Sequence, residues 1–229
     1  MPGYSQRPNA GQWVPVSSQS PSRPPARVVL LTGPSGSGKT SLAALTGLPV
    51  LNLDDFYKEG TDPTLPQLPN GGGADWDSPL SWDAAAAVAA IEALCRTGTT
   101  AVPVYDIAAS ARVGASRLEL GGAPLFLAEG IFAADVIAQC RDAGLLADAL
   151  CLRGRPTTTF RRRLARDLRE GRKPPVYLVR RGLRLLRRER SVVARHCALG
   201  AHPCAQPEAL ARIAAARVGD AVGAGVVRS

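Results

Sequence analysis

Lysine is nearly missing from this chain of 229 residues: Lys39, Lys58 and Lys173 stand against 25 arginines. Arginine is thus the default cation, and a lysine at a given place suggests that a compact ammonium is needed there. Rings are also scarce, at 5% of the residues. Among the arginines of 153–195 only Phe160 and Tyr177 are interleaved, too few rings for stacking on bases. Five cysteines (Cys95, Cys140, Cys151, Cys197, Cys204) are odd in number and form no C-x-x-C pair, which argues against a disulfide framework and makes most of them expected buried thiols. Both histidines, His196 and His202, lie near Cys197 and Cys204, but at a spacing that fits no usual zinc pattern. No apolar run is long enough to span a bilayer, and residues 1–25 lack the charged start, apolar centre and cleavage site of a secretory signal. The expectation is a soluble, cytoplasmic protein with no membrane partner.

The length suits one α/β domain with a full core. Residues 1–25 are rich in Pro, Ser, Gln and Gly and read as a disordered N-terminal tail, leaving 26–229 as the domain. The net charge of +9 is uneven. Residues 153–195 hold fifteen Arg and one Lys against Asp167, Glu170 and Glu189, a local charge of +13 that leaves the other residues at −4. A basic region of this kind can serve nucleic acid or the phosphates of a nucleotide.

The run Gly33-Pro34-Ser35-Gly36-Ser37-Gly38-Lys39-Thr40 directly follows the apolar stretch Val28-Val29-Leu30-Leu31. Its G-x-x-x-x-G-K-T spacing puts a glycine-rich loop between a strand and a helix, so that backbone N–H groups wrap a phosphate at the positive helix end. Gly33, Ser35, Gly36, Ser37, Gly38, Lys39, Thr40 and Ser41 are the candidate nucleotide-binding residues. Lys39 would bridge the β- and γ-phosphates, and Thr40 would ligate Mg²⁺. ATP and Mg²⁺ are the expected cofactors.

Around the loop, strands and helices alternate: strand 27–32, helix 39–46, strand 49–53, a Pro- and Gly-rich loop 55–80, and helix 81–95 with Ser81 as N-cap and Asp83 in the first turn. A strand ending at Val104, an irregular or hairpin segment 107–122, strand 124–127, helix 132–142 and a strand near 147–152 follow. Arginine-rich helices and an alanine-rich helix near 207–218 complete the chain. The expected fold class is α/β, a P-loop NTPase with a parallel β-sheet, helices on both faces and an arginine-rich helical region at about 153–195. In such sheets ligands sit beyond the carboxyl ends of the strands. Asp54, Asp55, Asp106 and Glu129 follow apolar strands and are expected at that rim, where a carboxylate can hold Mg²⁺ or accept a hydroxyl proton.

Several stretches resemble the uridine kinase family, in the wider group with phosphoribulokinase and type I pantothenate kinase. They are Leu53-Asp54-Asp55-Phe56-Tyr57, Trp76-Asp77-Ser78-Pro79, Pro103-Val104-Tyr105-Asp106, Glu129-Gly130-Ile131, and Arg163-Leu164-Ala165-Arg166-Asp167 with Arg172. They occur in the family's order across roughly 27–173. The resemblance implies Asp54 as general base, Asp77 on the acceptor sugar, Tyr105 near the base, and Glu129 in the Mg²⁺ shell. It also implies that Arg163, Arg166 and Arg172 close over the triphosphate. Lys39 and lid arginines together neutralise the oxygens of the transferring group, which is what a loose phosphoryl-transfer transition state requires.

Where the family usually carries a histidine, this chain has Ser110. The acceptor therefore stays open between a nucleoside-like molecule, pantothenate and a sugar phosphate, with Arg112 and Arg117 as candidate contacts to an acidic or phosphorylated one. A nucleotide-dependent nucleic-acid-binding or regulatory protein is the alternative of another class. A small-molecule acceptor is the expected partner, nucleic acid is not, and a homo-oligomer is compatible with the sequence.

Overall fold

The structure, a computed structural model, describes residues 26–69, 71–153 and 190–226. The chain runs β1 (Arg27–Thr32), α1 (Lys39–Thr46), β2 (Val50–Asn52), α2 (Ala84–Thr97), β3 (Thr99–Asp106), β4 (Ala111–Glu119) and β5 (Leu125–Glu129). It continues through α3 (Ile137–Asp142), β6 (Leu146–Leu152), helical residues 190–198 (α4), β7 (His202–Cys204) and α5 (Gln206–Val226).

Strand β1 explains the architecture. Val28 and Leu30 point to one layer, Val29 and Leu31 to the other, and none is more than 1% exposed. A strand that is apolar on both faces is satisfied only at the centre of a sheet covered on both sides. β1 is that centre: the parallel sheet has the order β2-β5-β1-β6-β7. On one face Phe126, Ala128 and Cys151 pack under α2, α3 and the 3-10 turn Ala133–Val136. On the other, Leu125, Leu127, Leu150 and Leu152 pack under Leu42 and Ala43 of α1 and Ala209 and Ile213 of α5. Arg212 of α5 is fastened to Asp148 of β6 by two hydrogen bonds, of 2.9 and 3.1 Å. From β1 the chain passes to β2 on one side and later, through β6, to β7 on the other, so the carboxyl end of β1 is a switch point where such sheets bind ligands.

Two sequence expectations change, at the start of α2 and at Asp106, and a third is narrowed to one of its alternatives. Helix α2 starts at Ala84, capped by Asp83, whose Oδ1 accepts the Ala86 N–H at 3.0 Å. Ser81 is instead buried, and its hydroxyl donates to the Ser78 carbonyl at 2.6 Å in the 3-10 turn Pro79–Ser81. The segment 107–122 resolves as a hairpin: β4 pairs antiparallel with β3 as a separate two-stranded sheet. Asp106 consequently ends a strand outside the parallel sheet. Its Oδ1 accepts the N–H groups of Ala108 and Ala109 at 2.7 and 3.3 Å, the bonding of a turn residue, so it does not stand at the carboxyl end of a strand of the parallel sheet as Glu129 does. The tail 1–25 and the greater part of the lid region, with Arg163, Arg166 and Arg172, lie outside the described residues. Among the described residues no helix is long and apolar enough to cross a membrane.

Candidate active site

The loop 33–38 leaves β1 at the switch point and turns into α1. Gly33 has φ +142°, and a Cβ there would lie 2.5 Å from the Leu152 carbonyl oxygen, so only glycine lets the loop lie this close to the end of β6. Gly38 precedes the helix with φ 99° and gives no side-chain cap, so the positive end of α1 opens onto the loop. Ser37 is 6% exposed, and its Oγ has no hydrogen-bond partner among the described residues. A buried hydroxyl without a partner costs free energy unless a ligand supplies one. Lys39, 7% exposed, donates from Nζ to the carbonyls of Gly33 at 3.0 Å and Pro34 at 3.4 Å, so its ammonium is folded over the loop. A helix N-terminus with no side-chain cap, an orphaned serine hydroxyl and a buried ammonium in one loop fit a polyphosphate.

Thr40 and Ser41 follow on α1 and are exposed. Thr40 Oγ1 donates to Glu129 Oε1 at 2.7 Å. Glu129 ends β5 and is 6% exposed, so a hydroxyl and a carboxylate of hard oxygen donors meet beside the loop. That donor set suits Mg²⁺, which favours a few protein oxygens and completes its shell with water and phosphate.

Asp54 comes to the same place from β2. Asn52 caps the 3-10 turn Leu53–Phe56: its Oδ1 accepts the Asp54 N–H at 3.2 Å and its Nδ2 donates to Asp55 Oδ2 at 2.9 Å. This ties Asp55 back to β2 and leaves Asp54 to turn inward, where Oδ1 accepts the Ile131 N–H at 3.1 Å. Burial raises the pKa of Asp54, offset in part by the positive charge of Lys39 and by the Ile131 N–H. Burial also raises that of Asp55, which its hydrogen bond to Asn52 opposes. Gly130 is the close approach behind Asp54: a Cβ there would stand 2.8 Å from Leu53 Cβ and 2.9 Å from Asp54 Oδ1. Gly130→Ala is thus expected to push the carboxylate off the Ile131 N–H, costing about 1–3 kcal/mol of stability and up to about 10²-fold in turnover. Denaturant unfolding and steady-state rates check both; an alanine variant with unchanged turnover would contradict the placement.

Aromatic rings stand next to Asp54. Tyr57 meets Trp76, Tyr105 and Phe132, each with centroids 5.9 Å apart, and Trp82 packs against Phe132 while its Nε1 donates to the Leu53 carbonyl at 2.7 Å. Burial raises the Tyr57 phenol, and the carboxylates of Asp54 and Asp77 raise it further, so both acids act on one ring. Asp77 itself is exposed, in the turn Asp75–Ser78. Tyr105 donates its hydroxyl to the Lys58 carbonyl at 3.0 Å. Ser110 stands in the hairpin loop at φ 50°, with its carbonyl accepting the Gly60 N–H at 2.7 Å and its side chain beside the Tyr105 phenol, whose pKa it helps to hold down against burial. Arg112 Nη2 donates to Asp83 Oδ2 at 3.2 Å, and Arg117 is paired with Glu119 at 2.8 Å.

The structure thus brings together Gly33–Thr40, Glu129, Asp54 and the rings around Tyr57. It places Ser110, Arg112 and Asp77 on the loops and hairpin that flank those rings. The Gly130 and Ile131 backbone, which holds Asp54, is the part sequence reasoning missed; the Glu129-Gly130-Ile131 run was its signal. The two histidines do not converge on a metal: His202 pairs with Glu208 at 2.8 Å and His196 with Thr32 at 3.1 Å, and among the described residues no cluster of ligating side chains forms.

No family model matches the chain, and no curated protein matches it significantly. Solved structures do. A protein from Silicibacter sp. TM1040, described provisionally as a fructose transport system kinase, is similar over 76% of this chain and 87% of its own, with 22% identity and a TM-score of 0.56. A possible uridine kinase from Bacillus stearothermophilus aligns over 59% of this chain and 75% of its own, at 20% identity and a TM-score of 0.43. The first likeness extends over most of both chains, and this chain shares the fold of that protein, an α/β fold built on a parallel sheet.

Proposed function

We propose that the protein is an ATP-dependent, Mg²⁺-requiring kinase of the uridine kinase type, transferring the γ-phosphate to a hydroxyl of a small nucleoside-like acceptor. The observation that carries this reading is the Asp54 carboxylate: half-buried, held on the Ile131 N–H, within the field of Lys39 and bordered by aromatic rings. A loop that binds polyphosphate needs no such group merely to bind; a hydroxyl about to attack does. Lys39 draws charge toward the β- and γ-phosphates, and the orphaned Ser37 hydroxyl and the first α1 N–H groups orient them. Thr40 and Glu129 would hold Mg²⁺, which when bound supplies positive charge to the transferring oxygens. Asp54 accepts the acceptor's proton, while Asp77 and Tyr105 orient the acceptor beside the rings. Arg163, Arg166 and Arg172 are proposed to complete the charge neutralisation.

Because Asp54 must be ionised to act and its pKa is raised, turnover should climb with pH along an acid limb centred above the ordinary aspartate value of about 3.9. A limb at or below that value would contradict the assignment.

A sugar-like acceptor is the second reading. It is favoured by Ser110, which stands beside Tyr105 where a base-recognising histidine stands in the resembled family, and by the sugar named in the description of the Silicibacter protein. Incubation with ATP and Mg²⁺ and a panel of nucleosides, free sugars, pantothenate and ribulose 5-phosphate, with mass spectrometry of the products, separates the two. A phosphorylated nucleoside supports the first reading, and a phosphorylated free sugar with no nucleoside product replaces it by the second.

A further inference from the structure

One buried titratable group has no part in the chemistry above. His196, 3% exposed, sits on α4 and reaches the end of β1, where its Nδ1 lies 3.1 Å from Thr32 Oγ1 and 3.9 Å from Cys151 Sγ. Thr32 is 1% exposed, and its hydroxyl lies 3.3 Å from the carbonyl oxygen of Ile131. The N–H of that same Ile131 is the donor to Asp54 Oδ1 at 3.1 Å. Three hydrogen bonds therefore connect His196 on a helix distant in sequence to the Asp54 carboxylate, by way of the first strand and one backbone residue. The neighbouring Arg195 grips both carboxylate oxygens of Asp135, in the 3-10 turn that follows Ile131. Helix α4 thus holds the segment after β5 at two points, once through a charge pair and once through the Thr32 hydroxyl.

We propose that His196 is a positioning residue for phosphoryl transfer: through the Thr32 hydroxyl it fixes the backbone of Ile131, whose N–H holds Asp54 in place. The catalytic consequence rests on the kinase reading; the hydrogen-bonded path does not.

The proton inventory is definite. A threonine hydroxyl has one proton. If it goes to the Ile131 carbonyl, the hydroxyl must accept from His196, so the ring carries its proton on Nδ1. Burial first, then the positive charges of Arg195 and Lys39, hold the imidazole down to about 4 against the opposing pull of Asp135. The ring is accordingly neutral at physiological pH, which a single-proton tautomer requires. A histidine serving only to fill the core would need bulk at this place and no particular atom. A positioning histidine needs a donor at the Nδ1 position.

Paired variants separate the two. Thr32→Val and His196→Leu keep bulk and remove the polar link, while Thr32→Ser and His196→Asn restore a hydroxyl and a donor. Each is compared with wild type for thermal unfolding, kcat, the KM for ATP, and the Ile131 amide resonance and its hydrogen exchange by NMR. The expectation is a kcat about tenfold lower in the Val and Leu variants, with the KM for ATP within about twofold of wild type. Both should show a shifted, faster-exchanging Ile131 amide, and Ser and Asn should recover most of each loss. The double variant Thr32→Val with His196→Leu should be no worse than the poorer single one, because both cut the same path. An Ile131 amide unmoved in folded Val and Leu variants would overturn the proposal. So would a kcat that tracks the loss of thermal stability and is not recovered by Ser or Asn. If wild type turns over no acceptor at all, the kinase reading fails by itself, and the Ile131 amide still decides whether the path exists.

Discussion

Asp54→Asn is expected to lower phosphoryl transfer by about 10²–10⁴-fold, the contribution of a positioned general base, while the affinity for ATP stays close to that of wild type. The amide keeps the acceptor for the Ile131 N–H and nearly the same shape, so the loop and the rings beside it are not disturbed. What is lost is a group able to take a proton. The same substitution should not weaken the fold. Burial raises the pKa of Asp54 above its unfolded value, so ionising it in the native state costs folding free energy; that cost is absent at low pH and complete above the folded pKa. At neutral pH the asparagine variant should therefore unfold at the same temperature as wild type or higher, and the difference should shrink as the pH falls through the folded pKa. ATP binding by titration calorimetry, turnover and thermal unfolding on one preparation test all three. If ATP affinity and turnover fall together, Asp54 is a nucleotide-site residue and not the base.

Lys39→Ala should be the second large loss, about 10²–10³-fold in turnover for one charged donor removed from the transferring phosphate, and unlike Asp54→Asn it should weaken ATP as well. Lys39 is the only lysine in the loop and is 7% exposed; its ammonium has already exchanged water for the carbonyls of Gly33 and Pro34. A cation so held reaches the phosphates with little further reorganisation. Lys39→Arg should not restore activity, because a planar guanidinium needs more room than a loop closed by Gly33 against Leu152 provides. An arginine variant with wild-type turnover would show that charge alone is required there.

Much of this site is legible in the sequence because its parts are local. The run from Val28 to Thr40 fixes a strand, a loop and a helix start within thirteen residues, and helix α1 ends at Thr46, as its spacing predicts. Asp54 and Glu129 can be placed because Asp54 lies just past β2 and Glu129 ends β5, each at the carboxyl end of an apolar strand of the parallel sheet. Asp106 looks the same in sequence, yet its strand pairs in a separate hairpin, and pairing partners are a property of the whole fold. The N-cap of α2 is misread by two residues for a related reason: Ser81 and Asp83 are both good caps, and the 3-10 turn at Pro79 draws the serine inward. The helix expected over 132–142 likewise divides into the turn Ala133–Val136 and α3. Least legible are the links between distant residues. Nothing near His196 in sequence points to Thr32, and nothing near Asp54 points to the Ile131 N–H. These are long-range contacts that only packing of the sheet brings about.

The most direct measurement is ADP release by the purified protein with ATP and Mg²⁺, with and without each acceptor of the panel, alongside Lys39→Ala. A kinase of this kind should release ADP only when its acceptor is present and should lose that release in the lysine variant. Release that is the same with every acceptor and with none, or that survives in Lys39→Ala, would contradict the assignment of a small-molecule kinase centred on this loop.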